Sequence, residues 1–396
     1  MTTTQRGPSL TDPAVADPGG WSAWLGPPVL GTTLDGSPAW YVTRAQDVRF
    51  VLSDARLRTS PVGDRSVRDA VLAQLGVSEE VARPLTDSIL DAGGVEHTRL
   101  RKLVSRAFTV RRVTDVLPHV QRIVDGLLDG LGTRAELVEA RAYPLPSAVI
   151  CELVGVPAAD QAVWLRWGES VMTMTDLSAT FTEMTESVHA LIAARRRDPA
   201  GDLVTALVQA RDEGDRLSDA EMSSLIATLL IGGHETTTHL ITNSVLAVLG
   251  HPEQLARLRR DPTGWPAAVH ELMRLFSPVH VIRVRYAVED VEVGGVTIPA
   301  GAVVQPVLAA ANRDAADRPD PERFDVARQA GRRGEGHVGF GYGIHRCLGA
   351  ALAREEAAVT LSSLFGRFPE LRLDGDPVRT ARPGMARVAR LPVRTH

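Results

Sequence analysis

Cys347 is the residue whose surroundings most clearly serve chemistry. It stands in Phe340-Gly-Tyr-Gly-Ile-His-Arg-Cys-Leu-Gly349, ahead of the helix-like Ala350-Ala-Leu-Ala-Arg-Glu-Glu356. A thiol just before a helix N-terminus meets unpaired N–H groups and the positive end of the helix dipole, which favour the thiolate. Gly341 and Gly343 permit positive φ, so the backbone can turn its N–H groups toward the sulfur, and His345 and Arg346 add positive potential. A free cysteine is ordinarily a small buried hydrophobe. Two glycines, a histidine and the following Leu348-Gly349 set this one apart. A sulfur anion held in this way serves either as a nucleophile or as a metal ligand. Zinc would need a second Cys or His at ligand spacing, which the sequence lacks. No histidine stands out as the base of a cysteine protease.

Two more groupings carry polar chemistry on apolar helices. Glu271-Leu-Met-Arg274 puts an acid and a base three residues apart, on one helix face. Its flanks Val269, Leu272, Met273 and Leu275 are apolar, so the pair is expected inside, where it needs further hydrogen-bond partners. Ile231-Gly-Gly-His-Glu-Thr-Thr237 lies in the middle of the longest helical stretch. Each interior glycine costs roughly 1 kcal/mol against alanine, and threonine bonds back to the helix backbone. A widened or kinked helix with a polar notch in an apolar wall is the expected result. His234 reads as packing rather than as a ligand.

These residues need a scaffold, and its elements follow from periodicity. Apolar residues at three- and four-residue spacing predict helices over 45–54, 96–108, 113–131, 160–174, 202–210, 219–249, 264–276 and 349–365. Strand character marks 28–31, 39–43, 279–286 and 291–298, while 312–343 is Pro- and Gly-rich with little regular structure. A loop that long inside a compact domain is usually functional. The fold class is mainly α with a small β subdomain. Residues 1–25 read as an N-terminal tail and pocket-mouth segment, and 26–396 as one domain. The 396 residues are 44% hydrophobic and 23% charged, enough for a sizeable core. A net charge of −4 argues against nucleic acid as a partner. Two cysteines, Cys151 and Cys347, argue against a disulfide framework and for a reducing compartment. No signal peptide or membrane span is expected: the apolar run 223–233 falls well short of the roughly 20 residues a spanning helix needs. The expected location is cytoplasmic.

The run F-G-x-G-x-H-x-C-L-G resembles the haem-binding loop of the cytochromes P-450 in their soluble bacterial, class I form. The other motifs follow in family order from about Pro28 to Pro392. The resemblance implies a triangular-prism helical bundle around haem b, with Cys347 as axial iron ligand and Phe340, Gly341 and Gly349 shaping its loop. It implies that Glu235 and Thr236 relay protons to bound dioxygen while Gly232 and Gly233 make room for it. It implies haem propionates held by His97 and Arg101, which share a helix face at i, i+4, and by Arg285 and His345. Arg283 competes with Arg285, which the spacing to Asp290 favours. Glu271, Arg274 and Arg323 resemble a structural triad bracing the long loop. Two departures concern the pocket mouth: Asp91-Ala-Gly-Gly-Val-Glu96 replaces the usual Asp-Pro-Pro-Glu type, and the segment before Gly26 is short.

The implied reaction is insertion of one atom of O2 into a C–H or C=C bond of a fairly large, mostly apolar natural product of polyketide, macrolide or terpenoid type. Candidate pocket walls are Leu229, 172–181, 279–284 and 383–386. The chain has no flavin or iron–sulfur motif, so electrons must come from outside. Arg99, Lys102, Arg106, Arg111, Arg112, Arg346 and Arg354 form a basic face that would steer an acidic ferredoxin fed by its reductase. The protein is expected to be a monomer. The alternatives are a peroxide-driven haem oxidase and a non-catalytic haem-fold module that recruits a carrier protein. Both would tolerate loss of Glu235 and Thr236, which are present.

Overall fold

The structure is a computed structural model; it describes residues 7–15, 17–60, 78, 88–138, 142, 144–173, 175–212 and 215–396. Its axis is the helix Asp219–Leu249, here α8, 31 residues and so about 46 Å long. Ser218 caps it: the Ser218 hydroxyl accepts from the Glu221 amide, and the Glu221 carboxylate accepts from the Ser218 amide. Met222, Leu225, Ile226, Leu240, Ile241, Val245 and Val248 are all buried, so the helix is apolar on most sides and lies in the core.

Preceding it in the chain are α1 (Ala45–Ser53), α2 (Gly94–Ala107), α3 (Val110–Asp129), α4 (Pro144–Val154), α5 (Gln161–Thr173), α6 (Leu177–Arg197) and α7 (Leu203–Gln209). After it come α9 (Pro252–Arg260), α10 (Trp265–Leu275), α11 (Leu308–Ala311) and α12 (Ala350–Arg367). The α12 helix, which follows the cysteine, is clamped from two sides. Trp265 of α10 stacks on its Phe365 with ring centroids 5.6 Å apart. On α3, Val113, Val116, Val120, Val124 and Leu128 form a buried stripe, and Gln121 donates to Ser363 of α12 at 3.0 Å.

The β portion is a five-stranded sheet of β1 (Val29–Thr32), β2 (Pro38–Val42), β3 (Leu57–Arg58), β4 (Arg285–Ala287) and β5 (Val303–Pro306), in the order β1-β2-β5-β4-β3. Only the β5–β2 pairing is parallel. A second hairpin, β6 (Val378–Arg382) and β7 (Met385–Arg390), reaches toward α8: Asn243 of α8 donates to the carbonyls of Ala386 and Phe276 at 3.2 and 3.3 Å.

Three expectations change. The strand expected over 279–286 is regular only from Arg285; before it, Val279 and Val281 make single bridges to Met385 and Val307. The α8 ladder is α-helical straight through Gly232 and Gly233, with no widened turn. The N-terminal residues are not a loose tail where described. Val15 and Trp21 are buried, and Trp21 stacks on Tyr41 at 5.9 Å, because an indole left in water would forgo its burial energy.

Candidate haem-thiolate site

The cysteine loop is built by backbone geometry. Gly341 and Gly343 hold φ at 75° and 72°. At Gly343 a Cβ would lie 2.4 Å from the Leu52 carbonyl oxygen, so only glycine fits where this loop crosses α1. The Cys347 amide donates to the Phe340 carbonyl at 2.9 Å, which closes the loop. The side chain of Cys347 keeps accessible surface although protein surrounds the loop. That enclosure pushes the thiol up, against the Gly349 amide, Arg101 and Arg346, which pull it down. This corrects the expectation that the loop by itself favours the thiolate. A metal cation on the sulfur would stabilise the thiolate against that desolvation. Cys151 is buried in α4 with its thiol pushed up to about 12, and it plays a packing role.

Beside the loop, α2 supplies His97 and Arg101, β4 supplies Arg285, and the loop supplies His345. The rings of His97 and His345 are 4.2 Å apart. Arg285 is buried and, among the described residues, donates only to the carbonyls of Arg283 and Val284, at 2.9 and 3.3 Å. Arg101 donates to the Arg346 carbonyl at 2.9 Å. Among the described residues no carboxylate hydrogen-bonds to any of the four. The electrostatic signature follows. Burial, then His97 and the neighbouring arginines, drive His345 down to about 3; burial and Arg283 bring Arg285 down to about 10; burial and Arg101 lower His97. Four basic groups gathered without a carboxylate partner among the described residues form a cradle for an anionic group. A porphyrin carrying two carboxylates and an iron for the sulfur fits this donor set. Arg283 is excluded from the cradle: it reaches out to Asp91 at 2.6 Å, half exposed.

Glu271 and Arg274 form a buried bidentate pair, both bonds 2.7 Å. The second guanidinium on Glu271 belongs to Arg328, at 3.0 Å, and not to Arg323, which corrects the expected triad. The chain turns at Asp320, where φ is 45°, and the Arg323 side chain goes to solvent. Arg323 contributes its carbonyl instead, accepting from Arg274 at 3.2 Å and Arg328 at 2.8 Å. Arg274 also donates to the Asn312 carbonyl at 2.9 Å, so this network pins the long loop 312–343. Arg328 was missed because it lies beyond the Asp320-Pro-Glu-Arg-Phe match; its signal was a charge just past the buried Phe324 and Val326.

On α8, Gly232 is exposed, and a Cβ there would meet open space. The Thr236 hydroxyl donates to the Gly232 carbonyl at 2.6 Å, and Glu235 is buried. His234 turns away to Ser147 of α4, 2.9 Å distant. No hydrogen bond or ion pair among the described residues links Glu235 and Thr236 to the cysteine loop; α8 and α12 are joined by packing. Of the expected pocket walls, the side chains of 172–174 lie outside the described residues, and Phe181 is in the core.

The basic face is less bare than the sequence suggests. Arg99 pairs with Glu96, Asp215 and Glu221, and Arg346 and Arg354 share Glu335. Arg112 donates to the carbonyls of Ala107 and Gly201. Among the described residues no helix is long and apolar enough to cross a membrane, and no three His, Cys, Asp or Glu residues are grouped to hold a metal ion.

The family description "Cytochrome P450" matches residues 163–262 and 265–394. The chain is 42% identical to cytochrome P450 107B1 of Saccharopolyspora erythraea, over 87% of this chain and 85% of that one. It is 40% identical to the 6-deoxyerythronolide B hydroxylase of the same organism, over 93% of both. The ligand-free P450 monooxygenase TamI superposes with a TM-score of 0.87 at 36% identity, covering 98% of this chain and 94% of that one.

Proposed function

This chain belongs to the cytochrome P450 family of haem-thiolate monooxygenases, and from that premise we propose that it oxygenates a fairly large, mostly apolar natural product of polyketide, macrolide or terpenoid type. Haem b would sit on Cys347, and a ferredoxin with its reductase would supply the electrons. The observation that carries the cofactor assignment is the cradle of His97, Arg101, Arg285 and His345, basic groups gathered without a carboxylate beside an accessible cysteine sulfur. Support for the substrate class comes from relatives that hydroxylate macrolide precursors, together with the apolar character of Val279, Val281, Ile282 and Leu229. The haem, when bound, supplies the reductive cleavage of dioxygen, one atom entering substrate and the other leaving as water.

The chain's own residues do the rest. Cys347 provides the sulfur, and the loop amides and Arg101 hold its charge once a cation is present. His97, Arg101, Arg285 and His345 neutralise the carboxylates of the cofactor and fix its orientation. Gly232 leaves space at the middle of α8. Thr236 keeps its hydroxyl oriented through the Gly232 carbonyl, and Glu235, next to it in sequence, exchanges protons with that hydroxyl and with water.

The test has two parts. Purified protein reduced under carbon monoxide is expected to show the absorption band of a thiolate-ligated haem, and Cys347→Ser to lose it; a band that survives the substitution refutes the ligand assignment. With ferredoxin, reductase and NADPH, Thr236→Ala is expected to keep consuming NADPH while peroxide replaces most of the product. Full coupling in that variant contradicts the proton-relay role.

A further inference from the structure

Glu235 is not an isolated acid on α8. His239 and Asn243 follow it at four-residue intervals, so the three side chains share one face of the helix. Both Glu235 and His239 are buried, His239 to 1% of its surface, and His239 Nε2 lies 3.9 Å from Glu235 Oε1. One turn further on, Asn243 spends its amide N–H groups on the carbonyls of Phe276 and Ala386. Those two bonds fix which way its carboxamide faces, and they leave its Oδ1 without a hydrogen-bond partner among the described residues. A carboxylate, an imidazole and an amide whose orientation is set by backbone therefore stand in sequence along one helix face. In a low-dielectric interior an imidazole attracts a neighbouring carboxylate, through its N–H dipole when neutral and through its charge when protonated.

We propose that His239 is a positioning residue for Glu235: its ring nitrogen, 3.9 Å from Glu235 Oε1, holds the carboxylate in one orientation from behind. The inference rests on the reading that Glu235 handles protons, and it adds the group that readies Glu235 to do so. The neighbouring His234 does not compete for this role, since it faces Ser147 on another element.

The test uses the haem-loaded enzyme. Histidine-labelled protein, in the diamagnetic ferrous carbon monoxide form, gives the His239 ring titration by NMR. Replacing Glu235 with Gln is expected to lower that ring pKa by roughly one unit or more, because an adjacent carboxylate stabilises imidazolium. An unmoved titration overturns the proposal, and this measurement leaves His239 itself intact. In turnover, His239→Leu is expected to cut product per NADPH severalfold and to raise peroxide, while His239→Gln, which keeps an N–H near the same point, restores most of the coupling. Wild-type coupling in His239→Leu also overturns the proposal. The Glu235→Gln variant separates the two levels. If it alone uncouples, only the role of His239 fails; if it stays fully coupled, the relay reading fails and takes this inference with it.

Discussion

Two clusters of basic side chains, one around Glu271 and one around Cys347, are built on opposite plans. Around Glu271, the guanidinium groups of Arg274 and Arg328 share one carboxylate, and their remaining N–H groups are taken by the carbonyls of Asn312, Pro319, Asp320, Pro321 and Arg323. Around Cys347, His97, Arg101, Arg285 and His345 have no carboxylate partner among the described residues, and burial drives each toward its neutral form. A balanced buried cluster is complete as folded and serves the architecture. An unbalanced one is complete only with an anion, so it marks where a ligand belongs. The presence or absence of a carboxylate partner, rather than the mere presence of arginines, separates the two clusters here.

The comparison can be broken most forcefully at Glu271. Glu271→Ala strands two buried guanidinium groups, a loss of about 3–5 kcal/mol. The expected outcome is a sharply lower urea midpoint, with haem released as loop 312–343 loosens. A midpoint within error of wild type would mean that the network is not holding the loop.

Arg285→Leu should do the reverse to the empty-handed chain. Removing a buried guanidinium that has no carboxylate partner among the described residues is expected to leave the haem-free protein as stable as wild type or slightly more so. Haem transfer to an apo-globin acceptor should meanwhile quicken by about ten- to hundredfold, the equivalent of a charge-assisted bond of about 1.5–3 kcal/mol. Equal destabilisation of haem-free and haem-loaded protein would erase the distinction between the clusters.

Single buried groups offer a finer test. His280 is fully buried, and its ring is held down to about 4, first by burial. The unfolded chain therefore binds a proton that the folded chain refuses between about pH 6.5 and 4, and stability falls as pH drops through that window. Glu356, buried and pushed up to about 8 by burial alone, acts in the other direction: the unfolded chain ionises first, so stability falls as pH rises from about 4.5 to 8. His280→Gln is expected to flatten the acid side of the urea midpoint against pH, and Glu356→Gln the alkaline side. A slope unchanged by its substitution would show that the group titrates alike in both states.

The smallest effect is at the surface. Arg111 is 91% exposed and sits 3.9 Å from Asp115. Arg111→Glu should slow reduction by ferredoxin modestly at low salt, and the difference should vanish near 1 M salt, where the Debye length is about 3 Å. Because Arg99, Arg346 and Arg354 are already paired with acids of this chain, reversal at those sites would break internal bridges and blur the reading.

Local information carried far in this chain. The bounds of α8 followed from its apolar periodicity, and the structure adds the Ser218–Glu221 cap that fixes its start. The Cys347 loop was legible for a similar reason: positive φ leaves glycine at fixed offsets from the sulfur. By contrast, Pro144–Val154 begins with prolines at 144 and 146, which look like breakers yet fall in the first turn, where no N–H is required. The hairpin 378–390 is written in arginines and alanines whose strand character comes only from pairing.

What the amino-acid order determined by itself was the chemistry available: a sulfur in a glycine-shaped loop, an acid and a threonine beside two helical glycines, and basic residues at helical spacing. Tertiary structure decided the partnerships. It chose Arg328 over Arg323, turned Arg283 outward to Asp91, and closed protein around the thiol. The physical reason is range. Backbone conformation and helix caps are settled within a few residues, whereas desolvation and charge pairing depend on which distant segments close around a group, and only the folded chain brings those segments together.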